Sequence, residues 1–592
     1  MADDFYHFIA TGYDNNLENK KVILAGEWCI KKFSDKNNFE KNTILIENIW
    51  KNSKKIEEDF FFLKDLINIY SQKICIYLNR YHNLNKPQKY WDILILPWLL
   101  YYLSSTLYRW RVFEKALMIS NNQVIFDDYK KISDIKIHTT IDFEKYASGS
   151  EKLNYILFRK IVFFFKKKIN IKLVNCEKDL KHFNNNKKTN FFDSIYCFNL
   201  KFFDAINIFL SRNNKIFIEQ NLFSFSFFSK LSFKFKQFPQ RFKYLFNYKL
   251  EDKSLSKINY DYDKRKKIDL GKNKKIDTDQ SYQDFLDDNI KLDIPLCFLE
   301  GYKKIETSNK NIKMKPNIIL SCYHYMHNER FKFWSANQVT LNNSSLYIVE
   351  HGGGEQLKFN AGIRISDKIG DKKIKIAAPK KNNDFQLPTP NYNFNLKKNN
   401  PIYLSYQEGH KTQFPHKIGS NIFNSYANLE NILIFKEKLN KEVFNYFKYI
   451  PAVKSVNSES DDIIELLEKK YVNEYSVLKK FIPLSKIMIC STGETAFTEC
   501  LLSGPTIFIN NNNYDSFNEE KGIMKELVRC KIVFDKVDEA AEHINSVWND
   551  PYKWWHSKAV KEVVEKYKLE FTCTNQNSLE VWHKFLKHDK KL

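Results

Sequence analysis

The chain has 592 residues, 43% of them apolar or aromatic, which is too much for a single core and points to three or four domain-sized units, or to two larger ones. Its net charge of +24 would ordinarily direct attention to nucleic acid or an anionic membrane. The excess, however, accompanies heavy use of Lys, Asn, Ile, Phe and Tyr with few Gly and Pro, the bias of an AT-rich genome, and no Arg-rich arm, zinc-finger spacing or RNP-like aromatic motif goes with it, so no nucleic-acid partner is expected. Ten cysteines lie between Cys29 and Cys573 without a C-x-x-C pair, so neither a thiolate metal site nor a disulfide framework is indicated, which suits a reducing cytosol. The N-terminus is acidic where a secretory signal is basic, and no apolar core follows it.

Residues 1–125 read as a mainly helical region with one short strand unit, Lys21-Val22-Ile23-Leu24-Ala25, which ends at Gly26 and places Glu27 toward a cleft. Residues 56–78 alternate apolar and charged side chains at helical spacing, with Phe60, Phe61, Leu63, Leu66, Ile67, Ile69 and Tyr70 on the buried face. The run ILILPWLLYYLSSTL at 93–107 is shorter than the ~20 residues that span a bilayer and contains Pro97, so it reads as a buried helix. Arg109, inside so apolar a stretch, is expected to pair with a carboxylate or meet an anionic ligand.

Residues 126–390 are expected to form a first Rossmann-like domain. Phe163-Phe164-Phe165-Lys166-Lys167-Lys168 and the Phe- and Lys-rich residues 223–236, with an alternating strand at 232–236, resemble a lipid-facing surface but also ordinary compositional drift. Residues 251–283 are polar and densely charged and read as a mobile loop. Regular α/β rhythm then returns, with a strand at 315–321, a helix at 329–339 and a strand at 346–349. The last of these runs into Glu350-His351-Gly352-Gly353-Gly354, where nearly bare backbone lets a ligand approach and His351 stands at a strand's carboxyl end. Cys322, His324 and His327 lack the carboxylate or second pair of a metal site, so His324 and His327 read instead as further cleft residues. A carboxylate at Glu350 would raise the basicity of His351 or act as the proton acceptor itself.

Residues 391–570 read as a second Rossmann-like domain, and 571–592 as a C-terminal helix. Within it, Ile487-Met488-Ile489-Cys490 is a strand, and Ser491-Thr492-Gly493-Glu494 has the S-x-x-E spacing of a capping box opening a helix. Gly504-Pro505 ends that helix, and Thr506-Ile507-Phe508-Ile509 is the next strand. The amides and hydroxyls from Ser491 to Thr495 make an anion site for a phosphate, with Glu499 placed to reach ribose hydroxyls.

The run Glu499-Cys500-Leu501-Leu502-Ser503-Gly504-Pro505-Thr506-Ile507 resembles the E-A-x-x-x-G-x-P-x-I element of GT-B glycosyltransferases, one residue shorter after Gly504. More broadly, Leu24-Ala25-Gly26-Glu27-Trp28-Cys29, Tyr90-Trp91, Leu96-Pro97-Trp98-Leu99, Leu299-Glu300-Gly301-Tyr302, the His351 loop with Ser366-Asp367, Ser491-Thr492 and Trp554-Trp555 resemble, in order, a bacterial transferase family of O-antigen and surface-polysaccharide gene clusters. That family's loop reads Q-H-G-G followed by an aromatic and a glycine; here Glu350 precedes the histidine and Gly354-Glu355-Gln356 follow. The resemblance implies a GT-B-like α/β fold, two Rossmann-like domains facing a cleft. It also implies a metal-independent glycosyltransferase with no cofactor, whose substrate donor is a nucleotide sugar and whose acceptor is a glycan or lipid-linked glycan at the inner face of the cytoplasmic membrane. No D-x-D-type pair marks a metal, and serine and threonine at a helix start suit a single phosphate, as in a CMP-linked ulosonic acid. A CDP-linked polyol-phosphate transferase and a non-catalytic glycan- or lipid-binding protein are the alternatives.

Overall fold

The structure is a computed structural model, and it describes residues 5–12, 20–30, 42–51, 53–130, 132, 135–177, 180, 216–219, 242–244, 255, 258–270, 276, 278–310, 315–352, 357, 361–388, 396, 398–409, 412–418, 426–451, 459–472, 478–510, 522–574 and 578–588. The Phe- and Lys-rich strand expected at 232–236, Gly353 and Gly354 lie outside these residues.

Three parallel sheets, rather than two, organise the described chain. The first has the order β3-β2-β1-β4-β5, from strands β1 (Tyr6–Ile9), β2 (Val22–Leu24), β3 (Thr43–Leu45), β4 (Val124–Tyr129) and β5 (Lys172–Cys176). The expected strand unit is thus one of five, and the boundary placed at 125 falls inside β4. The second sheet has the order β11-β10-β9-β8-β6-β7, from β6 (Ile216–Ile218), β7 (Phe242–Tyr244), β8 (Ile318–Ser321), β9 (Ser345–Val349), β10 (Lys372–Lys375) and β11 (Asp384–Gln386). The third has the order β13-β12-β14-β15-β16, from β12 (Tyr403–Gln407), β13 (Phe447–Ile450), β14 (Ser485–Cys490), β15 (Thr506–Ile509) and β16 (Val533–Phe534). Strand order reverses between β1 and β4, between β6 and β8, and between β12 and β14, and the carboxyl ends at such reversals are where open α/β sheets open a crevice.

Two long helices tie the sheets together. Helix α1 (Ser53–His82) buries Phe60, Leu63, Leu66, Ile67 and Tyr70 as its periodicity requires, while Phe61 stays exposed. Helix α2 (Gln88–Ile119) carries the 93–107 run and is apolar all round, so it is buried on every side. It packs against α1, α3 (Thr140–Gly149), α4 (Glu151–Lys166) and the helices Glu329–Leu341 and Ala361–Ile369. Among the described residues no helix is long and apolar enough to cross a membrane. Phe8, Ile319, Leu346, Leu404 and Ile487, from all three sheets, belong to one contiguous hydrophobic cluster around α2. The C-terminal helix Ser578–His588 returns to the second sheet, where Trp582 donates to the Pro388 carbonyl at 2.6 Å.

Of the polar stretch 251–283, the structure describes residues 255, 258–270, 276 and 278–283, and these include a helix, Tyr262–Lys267. Arg265 is fully buried on the helix Tyr262–Lys267, donating to both carboxylate oxygens of Glu300 at 2.8 and 2.6 Å and to the carbonyls of Leu292 and Ile294. A guanidinium with a matched carboxylate anchors a segment that has few apolar residues to do so.

Candidate functional site

A cavity of about 220 Å³ opens where parts from all three sheets meet. Tyr101 enters from α2, Glu144 from α3, and Tyr323 and His327 from the turn after β8; Glu350 and His351 follow β9, Lys373 and Lys375 lie on β10, and Lys417 comes from the loop after β12. His327 and His351 line one cavity, with the Tyr323 ring between them at centroid distances of 4.3 and 6.0 Å.

His351 is exposed at the mouth, and the surrounding wall lowers its pKa by desolvation; the Glu219 carboxylate opposes this and His327 reinforces it. The sequence expectation that Glu350 raises its basicity is not met. Glu350 instead accepts a hydrogen bond from the Ile376 amide at 2.7 Å, fastening the turn after β9 to the end of β10. A lowered pKa leaves the imidazole neutral at physiological pH, the form that accepts a proton.

Glu144 lies 3.0 Å from Nδ1 of His327, and although burial pushes its pKa up, His327, His416 and Lys417 together hold it down at about 2. It is therefore an ionised carboxylate facing an imidazole, an arrangement that orients the ring. His416 stacks on Tyr101 at 5.8 Å, and burial lowers its pKa to about 4. Nothing in the linear sequence marks Glu144, Tyr101, Lys417 or His416; they lie in three separate segments and meet only through packing.

His416 makes a testable contribution to stability. The unfolded chain protonates this histidine near ~6.5 and the folded chain only near about 4, so between those values the unfolded state binds more protons and stability falls as pH falls. Denaturant melts are expected to be flat above pH 6.5 and to lose roughly 3 kcal/mol from this residue by pH 4; His416→Phe should remove that share of the acid sensitivity.

His324 does not face the cavity. It pairs with Glu219 at 2.5 Å, at the strand-order reversal of the second sheet. The same carboxylate accepts from the amides of Cys322, Tyr323 and His324 at 2.9, 3.0 and 2.9 Å and from the Ser321 hydroxyl. The crevice where such sheets receive an anion is thus filled by one of the protein's own, with its pKa lowered by those contacts against the cost of burial. Glu219→Gln keeps one acceptor oxygen but turns an amide toward these donors, and is expected to cost about 2–3 kcal/mol in urea unfolding.

At the reversal of the third sheet, Ser491 accepts a hydrogen bond from the Gly409 amide at 2.8 Å. Thr492 packs so closely on Gly409 that a Cβ there would lie 1.8 Å from the threonine methyl. Glycine is required at 409 by this approach, not by its backbone angles. The capping box does not form: the helix runs Thr495–Leu501, Glu494 is its N-cap without a side-chain cap bond, and the Ser491 hydroxyl is committed to Gly409. Gly493 lies in the turn between them. Glu499 is buried on this helix, 3.5 Å from Lys479, with burial raising its pKa. Glu408, which sequence reasoning passed over, is buried just after β12 and accepts from the Tyr449 hydroxyl at 2.7 Å.

Ser491 to Thr495 do not line the His351 cavity, and neither do Glu27 or Gly352. Glu27 begins a short turn after β2, beside the Trp28 that packs on Tyr108 and Phe414. Two connections join the two regions: the loop after β12 runs from Gly409 at Thr492 to Lys417 in the cavity, and Tyr567, bonded to Thr498 at 2.8 Å, feels the charge of Glu350. Arg109, expected to meet a carboxylate or an anion, pairs with no carboxylate among the described residues; its guanidinium donates to Asn154 at 2.8 Å and to the carbonyls of Ser105 and Pro415 at 2.9 and 2.8 Å. Among the described residues no group of three or more His, Cys, Asp or Glu could hold a metal ion.

No curated protein matches the chain. Two solved structures are similar over part of their length. A spinosyn rhamnosyltransferase, SpnG, is 9% identical, covering 45% of this chain and 73% of that one with a TM-score of 0.25; the same enzyme complexed with spinosyn aglycone is 8% identical, covering 60% and 94% with a TM-score of 0.26. Scores this low do not assign a shared fold. A family model describing LIC12162 family transferases matches residues 6–586, nearly the whole chain, and the protein therefore belongs to the LIC12162 family of transferases.

Proposed function

We propose that this transferase is a GT-B-like, metal-independent glycosyltransferase that moves a sugar from a nucleotide-activated donor to a hydroxyl of a surface-polysaccharide acceptor at the inner face of the cytoplasmic membrane. The observation that carries this reading is the cavity in which His351, its pKa lowered, shares walls with the Glu144–His327 pair. Such a transfer needs a base for the acceptor hydroxyl, and His351 takes that role: its ring accepts the proton while the oxygen attacks the anomeric carbon and the nucleotide phosphate departs. The Glu144 carboxylate orients His327, which lies across Tyr323 from His351 and stabilises the forming charge. The donor is assigned to the reversal of the third sheet, with the turn of Ser491, Thr492 and Gly493 and the amide of Thr495 toward the phosphate, and Glu499 with Lys479 toward the ribose. A CMP-linked ulosonic acid fits a turn suited to one phosphate.

A thermal-shift screen of the full chain against UDP, GDP, CDP, CMP and their sugar conjugates tests this. A nucleotide at about 100 times its Kd is expected to stabilise the protein by about 2.7 kcal/mol. A flat response to every nucleotide sinks the reading, and retention of donor phosphorus in the product moves it to a polyol-phosphate transferase.

A further inference from the structure

The carboxylate in the crevice of the second sheet is held by more bonds than a short turn needs. Glu219 follows β6, is 1% exposed, and its own amide extends the ladder to the Leu320 carbonyl at 3.0 Å. One of its oxygens takes the amides of Cys322, Tyr323 and His324 and the Ser321 hydroxyl, and the other meets the His324 ring. The Ser321 oxygen in turn accepts from the Tyr325 amide at 3.1 Å. Four successive amides, Cys322 to Tyr325, are thus bound by two side chains that are bonded to each other. A serine or asparagine cap would hold so short a helix as His324–His327 without taking a charge out of water, which is costly even when donors surround it.

What this clamp fixes besides the turn is Tyr323. Its amide is the middle one of the three on Glu219, 3.0 Å away, while its ring, 38% exposed, stands at the cavity between His327 and His351. A ring so exposed keeps one place only if the backbone beneath it is held, because burial alone does not select its rotamer. His327 closes the same four-residue helix, so a shift of the turn moves the ring and this imidazole together. Glu219 itself does not line the cavity.

We propose that Glu219 is a positioning residue for the transfer: by fixing the turn Ser321–His324 it sets the Tyr323 ring between His327 and His351 and keeps the two imidazoles at their working separation. The catalytic part of this proposal rests on the transfer reading. Its geometric part, that the carboxylate rather than the pairing with His324 holds the ring in place, is independent of any substrate.

The test compares Glu219→Gln, which loses the charge and turns an amide toward the donors, with His324→Gln, which breaks the ion pair but leaves the four amides bound. Both are expected to melt earlier than wild type. Only Glu219→Gln should speed hydrogen exchange of the peptide that carries Cys322 to Tyr325. Only there should diethyl pyrocarbonate modify His327 faster, by at least about threefold at fixed pH, as read by mass spectrometry. With the donor found by thermal shift, Glu219→Gln should lower kcat by about 10²-fold and leave the donor KM within about threefold, while His324→Gln keeps kcat. In a Tyr323→Ala background the change at 219 should have no further effect on kcat, since the ring through which it acts is gone. Glu219→Asp keeps the charge but retracts it from the amides, and it carries the same comparison in milder form where the Gln variant does not fold. An equal loss of kcat in His324→Gln, a folded Glu219→Gln with wild-type kcat, or effects of Glu219→Gln and Tyr323→Ala that simply multiply would each overturn the proposal. A chain that transfers from no nucleotide sugar yet shows the exchange and modification differences loses the transfer reading, and with it the catalytic part, but keeps the clamp. Full turnover with unchanged exchange and modification removes the clamp and leaves the transfer reading standing.

Discussion

His351→Ala is expected to lower the rate of sugar transfer by about 10²–10⁴-fold, the usual contribution of a positioned general base, while the melting curve stays nearly unchanged because the ring is exposed at the cavity mouth. The pH profile carries the more specific expectation. Partial desolvation by the cavity wall lowers the pKa of His351, whose outer face stays exposed, so the wild-type rate should rise through an acid limb lying below histidine's ordinary value of about 6.5 and then level off. That limb should vanish in His351→Ala. Initial rates of nucleotide release between pH 4.5 and 8, with the donor identified by thermal shift, provide the measurement. A variant that keeps both its rate and its acid limb would remove His351 from the chemistry and pass the role of base to His327, whose partner Glu144 is then the residue to replace with Gln.

The largest effect on stability is expected at Arg109. This guanidinium is fully buried with no carboxylate beside it among the described residues, and burial lowers its pKa to about 9, so it is still charged at neutral pH. Its donors instead satisfy the Asn154 side chain and the carbonyls of Ser105 and Pro415, joining α2 to α4 and to the loop after β12. Arg109→Met removes the charge but leaves those carbonyls and the Asn154 oxygen without a donor in a dry interior, and should cost about 3–5 kcal/mol. Arg109→Lys keeps the charge without the planar fork, and is expected to recover only part of that loss. Urea midpoints for the three proteins at constant slope are the check. Equal midpoints for wild type and Met would show that the bonds are worth no more than the desolvation they offset.

The strands that flank the site were legible because they are continuous apolar runs, as in Ile318–Ser321, Ser345–Val349 and Thr506–Ile509, and buried parallel strands have to look like that. Helix α2 was legible for the same reason, being apolar on all faces over many turns. The first sheet was largely hidden. Its β5 has the sequence KLVNC with three of its five residues exposed, and β1 and β3 are only four and three residues long, too short for a period to register. The capping box at Ser491 misled because its hydroxyl has a competing donor, the Gly409 amide, more than eighty positions away in the chain. His351 and His327 could be chosen from their places after strands, but no local rule brings Glu144 to His327 or Lys417 to the same wall. Those encounters depend on how α3 and the loop after β12 pack against α2.

The burial of α2 also has a temporal cost during synthesis. Arg109 does not find its Pro415 acceptor until about 300 further residues have been made, and the strands β12 and β14, whose Leu404 and Ile487 close the shared core, come out at similar or greater distance. At roughly 5–20 residues per second a ribosome takes about 15–60 seconds to deliver them. Throughout that interval α2, apolar on every face, lacks part of its cover, and exposed apolar surface of this kind is what makes an unfinished chain prone to aggregate.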